Sequence, residues 1–401
     1  MFDIKRAPSM KPVVIAILLA ILALSGCTGP RGWPGIVADG DTVFVGSIGG
    51  RVIRLELSAR QEDKRVPSKP DGEWVWEPEA EQAGGIFSCG QAGQFSVGTL
   101  YGSPAVGNDT VYIGLYSGKV YAIDAEYGDD VWEEPFKTGG NIVGGIAVTD
   151  DTLFVGSSDG KLYAVDISTG RVKRGFEPYP TGDQIVSTPV VQDGVVYFGS
   201  LDHKLYAIDA DTGELKWDKP FKTGGGIGSP PLIVEDVLYF GSFDSKFYAV
   251  YADTGEPKWE QPFEAGNWFW AEALYRNGII YACSLDRNVY AIDAESGELA
   301  SEWSTNPFPT AGKIRSSPAI VGDVLVVASE VDKEKTKVYG IDLGNGEERW
   351  PRPVDLESSI LAPLSAAGGK VYVNARTDNT VYVLDGETGR WEWSVPLSGI
   401  K

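Results

Sequence analysis

One histidine, three cysteines and two methionines are all that the 401 residues offer as imidazole or sulfur ligands. A histidine-rich metal site is therefore excluded, and a Ser-His-Asp triad would have to be built on His203. Cationic charge is also scarce: 35 Lys and Arg stand against 56 Asp and Glu, for a formal net charge of −21. Such a surface repels phosphate backbones and anionic headgroups alike. It argues against nucleic acid as a partner, and any membrane attachment must come from something other than surface charge. No stretch reads as an amphipathic helix at period 3.6, and no Gly-rich loop follows a strand and opens a helix, so nucleotide-binding motifs are missing. What abounds is strand and turn material: 50 Gly, 24 Pro, 12 Trp and 18 Tyr, with many Val.

The first residues read as an address. Lys5, Arg6 and Lys11 precede an apolar run from Pro12 to Leu24, too short for a comfortable permanent bilayer span. Leu24-Ser25-Gly26-Cys27 follows at once and resembles the bacterial lipobox. The resemblance implies diacylglycerol transfer to the Cys27 thiol and cleavage before it. Residues 1–26 are then a lipoprotein signal peptide, 27–34 the lipidated cysteine with its tether, and 35–401 the folded body. Acyl chains gaining roughly 0.8 kcal/mol per buried CH₂ would hold the protein firmly. Thr28, rather than Asp, follows Cys27, which in a two-membrane bacterium favours the outer membrane. Outside the cytoplasm a disulfide is chemically permitted, but Cys89 and Cys283 lie far apart in the repeat order described next, which points to two buried thiols.

Self-similarity at a period of about 42 residues organises the rest. Ser187–Trp217 (STPVVQDGVVYFGSLDHKLYAIDADTGELKW) repeats as Ser229–Trp259 (SPPLIVEDVLYFGSFDSKFYAVYADTGEPKW), and the frame recurs from Ser103, Gly145, Ala271, Ser316 and Ala362. A diverged first copy begins at Gly35, making eight. Each copy parses into four short strands. In the fourth copy these are Thr188–Gln192, Val195–Ser200, Lys204–Asp209 and Glu214–Asp218, joined by Gly/Asp turns. A four-stranded meander of this size cannot bury both faces alone; stacked radially into a ring, it does. The expected fold is an all-β, eight-bladed propeller of four-stranded antiparallel blades.

The frame V-Y-x-G-S-x-D-G-K-L-Y-A-x-D-x-x-T-G-x-x-x-W resembles the repeat of the pyrroloquinoline-quinone (PQQ) enzymes, and together with the lipobox it resembles the BamB-like lipoproteins. The resemblance implies that one Trp per copy docks onto the neighbouring blade: Trp76, Trp132, Trp217, Trp259, Trp303, Trp350 and Trp393. It also implies a membrane-anchored, extracytoplasmic scaffold whose partners are envelope proteins, including subunits of the machinery that assembles outer-membrane β-barrels. PQQ dehydrogenases grip their quinone against a disulfide of adjacent cysteines beside a calcium ion. No adjacent cysteines occur here and there is no C-x-x-C-H haem attachment, so a non-enzymatic role without cofactor or metal is expected. The alternatives are a quinone-dependent dehydrogenase-like enzyme and a carbohydrate- or small-ligand-binding propeller.

Residues recurring in every copy are architectural. Asp124, Asp166, Asp209, Asp293, Asp342 and Asp385 precede each turn and read as caps of backbone N–H groups, not as catalytic carboxylates. His203 takes the hairpin position of Gly160, an exposed turn. Function is sought where copies differ. Trp268-Phe269-Trp270 replaces Gly226-Ile227-Gly228 at the leading edge of the sixth copy, and Arg315 is the seventh-copy equivalent of Trp270. These four residues are the candidate ligand or partner site, an aromatic and a guanidinium side by side at the funnel mouth. Their competing reading is a plug for a wide channel. Glu77–Leu100 inserts a Gly-rich loop after the first copy, and Glu330–Lys337 lengthens a hairpin in the seventh with a solvated tip. Arg174 in place of a docking Trp and Tyr251 in place of a turn Asp read as drift.

Overall fold

The computed structural model describes residues 35–39, 42–47, 50–56, 73–78 and 99–400. The signal peptide, Cys27 and its tether, Cys89 and all but the ends of the Glu77–Leu100 insertion lie outside the described residues. Eight antiparallel sheets follow one another along the chain. Their innermost strands start at Ile36, Ala105, Ile146, Val190, Leu232, Leu274, Ala319 and Ser365. We number the blades one to eight in that order.

In blade four the two central strands, Val195–Ser200 and Lys204–Asp209, lie where the alternation places them. The innermost strand is shorter, Val190–Gln192. The outermost differs more. Leu215 makes only a single bridge to Ile208, and the paired strand is Phe221–Lys222, opposite Lys204 and Leu205. The reason is Trp217: its side chain leaves the sheet edge for the next blade, and the backbone bends away before returning.

Cores form between blades. Each hydrophobic cluster joins two consecutive blades, as Tyr197, Leu205 and Trp217 of blade four do with Leu238, Phe240 and Val250 of blade five. The last cluster joins Val43, Val45 and Ile53 of blade one to Tyr372, Val381 and Val383 of blade eight, which closes the ring. Asn374 adds a 2.9 Å hydrogen bond to the Gly46 carbonyl across this seam, and Arg51 one of 2.8 Å to the Ile400 carbonyl.

The docking geometry repeats. The indole N–H groups of Trp132, Trp217, Trp259, Trp303 and Trp350 each donate to a carbonyl at the outer turn of the following blade, at 2.7 to 3.1 Å. The turn glycine beneath each ring is required twice over. Gly255, for instance, has φ +70°, and a Cβ there would lie 2.6 Å from the Trp217 ring. In blade one Trp74, not Trp76, takes this place, covering Gly128 and donating to the Ala125 carbonyl at 3.1 Å. Trp76 also reaches blade two, but by a 2.9 Å bond to Asp130 and an edge contact with Tyr121. Trp393 packs on the seam between blades eight and one, where the matching turn lies outside the described residues.

Arg174 is not a drifted docking residue. Phe176, two positions on, is the docking group of blade three: it is 2 % exposed, meets Phe154 edge-on, and covers Gly213 of blade four. The spacing from Gly170 to Phe176 equals that from Gly297 to Trp303.

The other recurring residues are equally structural. Asp202, Asp244 and Asp286 each accept the hydroxyl of a tyrosine four residues on, at 2.6 Å, and a glycine amide from the preceding blade, at 2.7 to 2.9 Å. The turn aspartates accept backbone amides as expected, as Asp209 does from Asp211 and Thr212. His203 is exposed with φ 70°, the left-handed position that Gly160 fills in blade three.

Candidate functional site

Between the outer strand of one blade and the inner strand of the next, the chain crosses to the ring axis. These crossings line the bore. At one level stand Tyr101, Val143, Val186, Gly228, Trp270, Arg315 and Leu361; one step further in lie Ser103, Gly145, Thr188, Pro230, Glu272, Ser317 and Pro363. They surround a cavity of about 270 Å³. Sequence alternation puts every second residue of a crossing toward the axis and the residue between them into the core. Hence Trp270 lines the cavity, whereas Phe269 is fully buried between blades five and six, in the position of Ile227 and Ile314. Phe269 therefore leaves the group of side chains that can meet a ligand.

Trp268 and Trp270 share a neighbour that sequence reasoning missed. Phe243 stacks on both, with centroids 4.9 Å and 5.4 Å away and interplanar angles of 22° and 4°. Gly228 makes room for it, since a Cβ there would come within 2.7 Å of the Phe243 ring. Phe243 is the variable residue of the G-S-x-D turn, held by Leu201 in blade four and Leu285 in blade six. That position forms a ring of its own around the mouth, and its departures were the signal available.

The same ring alters the reading of Arg315. In blade seven its member is Glu330, whose carboxylate accepts a hydrogen bond from Arg315 Nη1 and another, at 2.7 Å, from Ser359 Oγ. Glu330 is therefore an anchor, not part of a solvated tip. The extended strands Val324–Asp332 and Lys335–Asp342 carry it over the mouth, where Lys313 bridges it through both backbone groups, at 2.8 and 3.0 Å. Burial works against the Arg315 charge, and Glu330 offsets that cost. The guanidinium is not side by side with an empty aromatic face; it is committed to its own carboxylate. On the opposite side Tyr101 and Tyr116 pack at 4.8 Å, with Arg376 near Tyr101.

The donor set does not fit a quinone–calcium centre. No group of three His, Cys, Asp or Glu that could hold a metal exists among the described residues. Cys283 is buried in the core between blades six and seven, where burial pushes its thiol pKa up.

A closed ring of docked blades, with departures from the repeat collected at the mouth and along the bore, defines a propeller of the PQQ-repeat class. Among families, the one described as outer membrane protein assembly factor BamB matches residues 63–221 and 202–359, most of the chain, and the chain belongs to that family. No curated protein matches. Among solved structures, BamB from Moraxella catarrhalis is similar at TM-score 0.65 and 17% identity, covering 88% of this chain and 97% of that one. The computationally designed Ika8 protein follows at TM-score 0.63 and 17% identity, covering 75% and 87%. A quinohemoprotein alcohol dehydrogenase, ADHIIG from Pseudomonas putida HK5, is similar at TM-score 0.58 and 17% identity, covering 75% of this chain and 66% of that one. At such identities the likeness is one of fold.

Proposed function

We propose that this protein is a lipid-anchored scaffold of the cell envelope that binds other envelope proteins, in the manner its family's description suggests for outer-membrane protein assembly. The observation that carries the reading is the family match across residues 63–359 of a repeat whose shared residues are committed to packing. On this reading Cys27 carries the acyl anchor, residues 1–26 are removed, and the ring faces an extracytoplasmic space. Trp268, the Phe243 stack and the charged pair Arg315–Glu330 form the candidate docking mouth. Affinity capture from detergent-solubilised membranes tests it: β-barrel assembly subunits should co-purify with the wild-type chain and be depleted in Trp268→Ala. Capture of no envelope protein would reject the scaffold reading. The runner-up, a quinone-dependent enzyme, draws support from the fold of the alcohol dehydrogenase alone.

A further inference from the structure

Among the described residues lining the bore, Glu272 is the only carboxylate. It stands at a level where the other crossings carry Gly145, Thr188, Pro230 or Ser317. Its amide hydrogen-bonds Ser317 Oγ at 3.1 Å, but its carboxyl has neither a hydrogen bond nor an ion pair among the described residues. Arg315, the cation on the adjoining crossing, is taken by Glu330. This half-buried carboxyl, without a protein partner among the described residues, lines a cavity of about 270 Å³ with the Trp270 indole in its wall, where it meets bore water or a ligand.

We propose that the bore binds a small organic cation, a primary or substituted ammonium, held by the Glu272 carboxylate and the indole of Trp270. The carboxylate supplies the counter-charge and the Trp270 ring a cation–π contact, beside walls of Pro, Val and Gly that suit the alkyl part of the cation. A hard metal ion would need several oxygen ligands where this site offers one acid. The acidic exterior concentrates cations at the entrance.

Protonation gives the site a readout. Burial pushes the Glu272 carboxyl up to about 7. Among the described residues the other titratable groups lining the bore are Tyr101, pushed up to about 12 and hence neutral, and Arg315, which stays charged against Glu330. A cation binds only the ionised carboxyl, so below pH 7 binding expels a proton. Apparent affinity then climbs about tenfold per pH unit and levels off above pH 7.

Calorimetric titration of the full chain with n-butylammonium chloride, and with n-butanol as neutral control, tests this. The expected result is saturable binding at pH 8, about tenfold weaker at pH 6, with butanol binding poorly at both. Glu272→Gln should lower the ammonium affinity at least tenfold and abolish the pH dependence. No saturable heat at pH 8, an affinity independent of pH in the wild type, or equal affinity in Glu272→Gln would overturn the assignment. The wild-type pH series decides even if the variant folds poorly. The assignment is separate from the partner-binding reading, because membrane capture probes the mouth and this titration probes the bore.

Discussion

At the scale of single residues, Glu272 links the bore to stability. Its carboxyl pKa is raised in the folded state, so the native protein holds a proton that the unfolded chain releases. The stabilising contribution is whole below the unfolded value and is lost as pH rises through about 7. Glu272→Gln should therefore raise stability at pH 8 by on the order of 1–3 kcal/mol and change little at pH 4, as read by urea unfolding at the two pH values. The lower end is expected, because the carboxyl keeps contact with water in the bore. The turn aspartates act oppositely. Hydrogen bonds from their own turns hold Asp166, Asp209 and Asp385 below the usual carboxylate range, so their contribution fades as pH falls through those depressed values.

At the scale of the blade, docking residues and their glycines decide the seams. Phe176→Ala should cost roughly 3–5 kcal/mol, as deleting a buried aromatic does. Arg174→Ala, on an exposed side chain, should stay within about 0.5 kcal/mol. Equal costs in thermal unfolding would mean that Phe176 is not the docking group of blade three. Asp244→Ala removes the acceptor of both the Tyr248 hydroxyl and the Gly224 amide, and should cost about 1–3 kcal/mol at the seam between blades four and five. The central strands of each blade were legible in the sequence because apolar residues alternate cleanly between two turns. The outer strand was not, since the docking Trp draws the chain off the sheet edge and moves the pairing several residues on. Trp268 and Trp270 were legible as exceptions to the frame. Phe269 was misassigned because a run of three aromatics hides the alternation, although the aligned Ile227 and Ile314 mark that position as core. Phe243 and Glu330 were missed because a variable turn residue looks like drift until the glycines and crossings beside it are seen in space.

At the scale of the whole molecule, the ring is closed by side-chain packing between its first and last blades, each built from its own end of the chain. Tyr372→Ala at that seam should lower the melting temperature of the entire ring, because opening one seam exposes the apolar faces of blades one and eight together. What the ring is for rests on its exceptions. They gather at the mouth and in the bore, and among the described residues they offer aromatic stacking, one committed ion pair and one uncommitted carboxyl, a set suited to binding. The most direct measurement of that claim is an equilibrium titration of the purified full chain with PQQ and calcium, followed by absorbance and by alcohol-dependent dye reduction. The account predicts no saturable spectral change and no dye reduction. Stoichiometric quinone binding with turnover would contradict it.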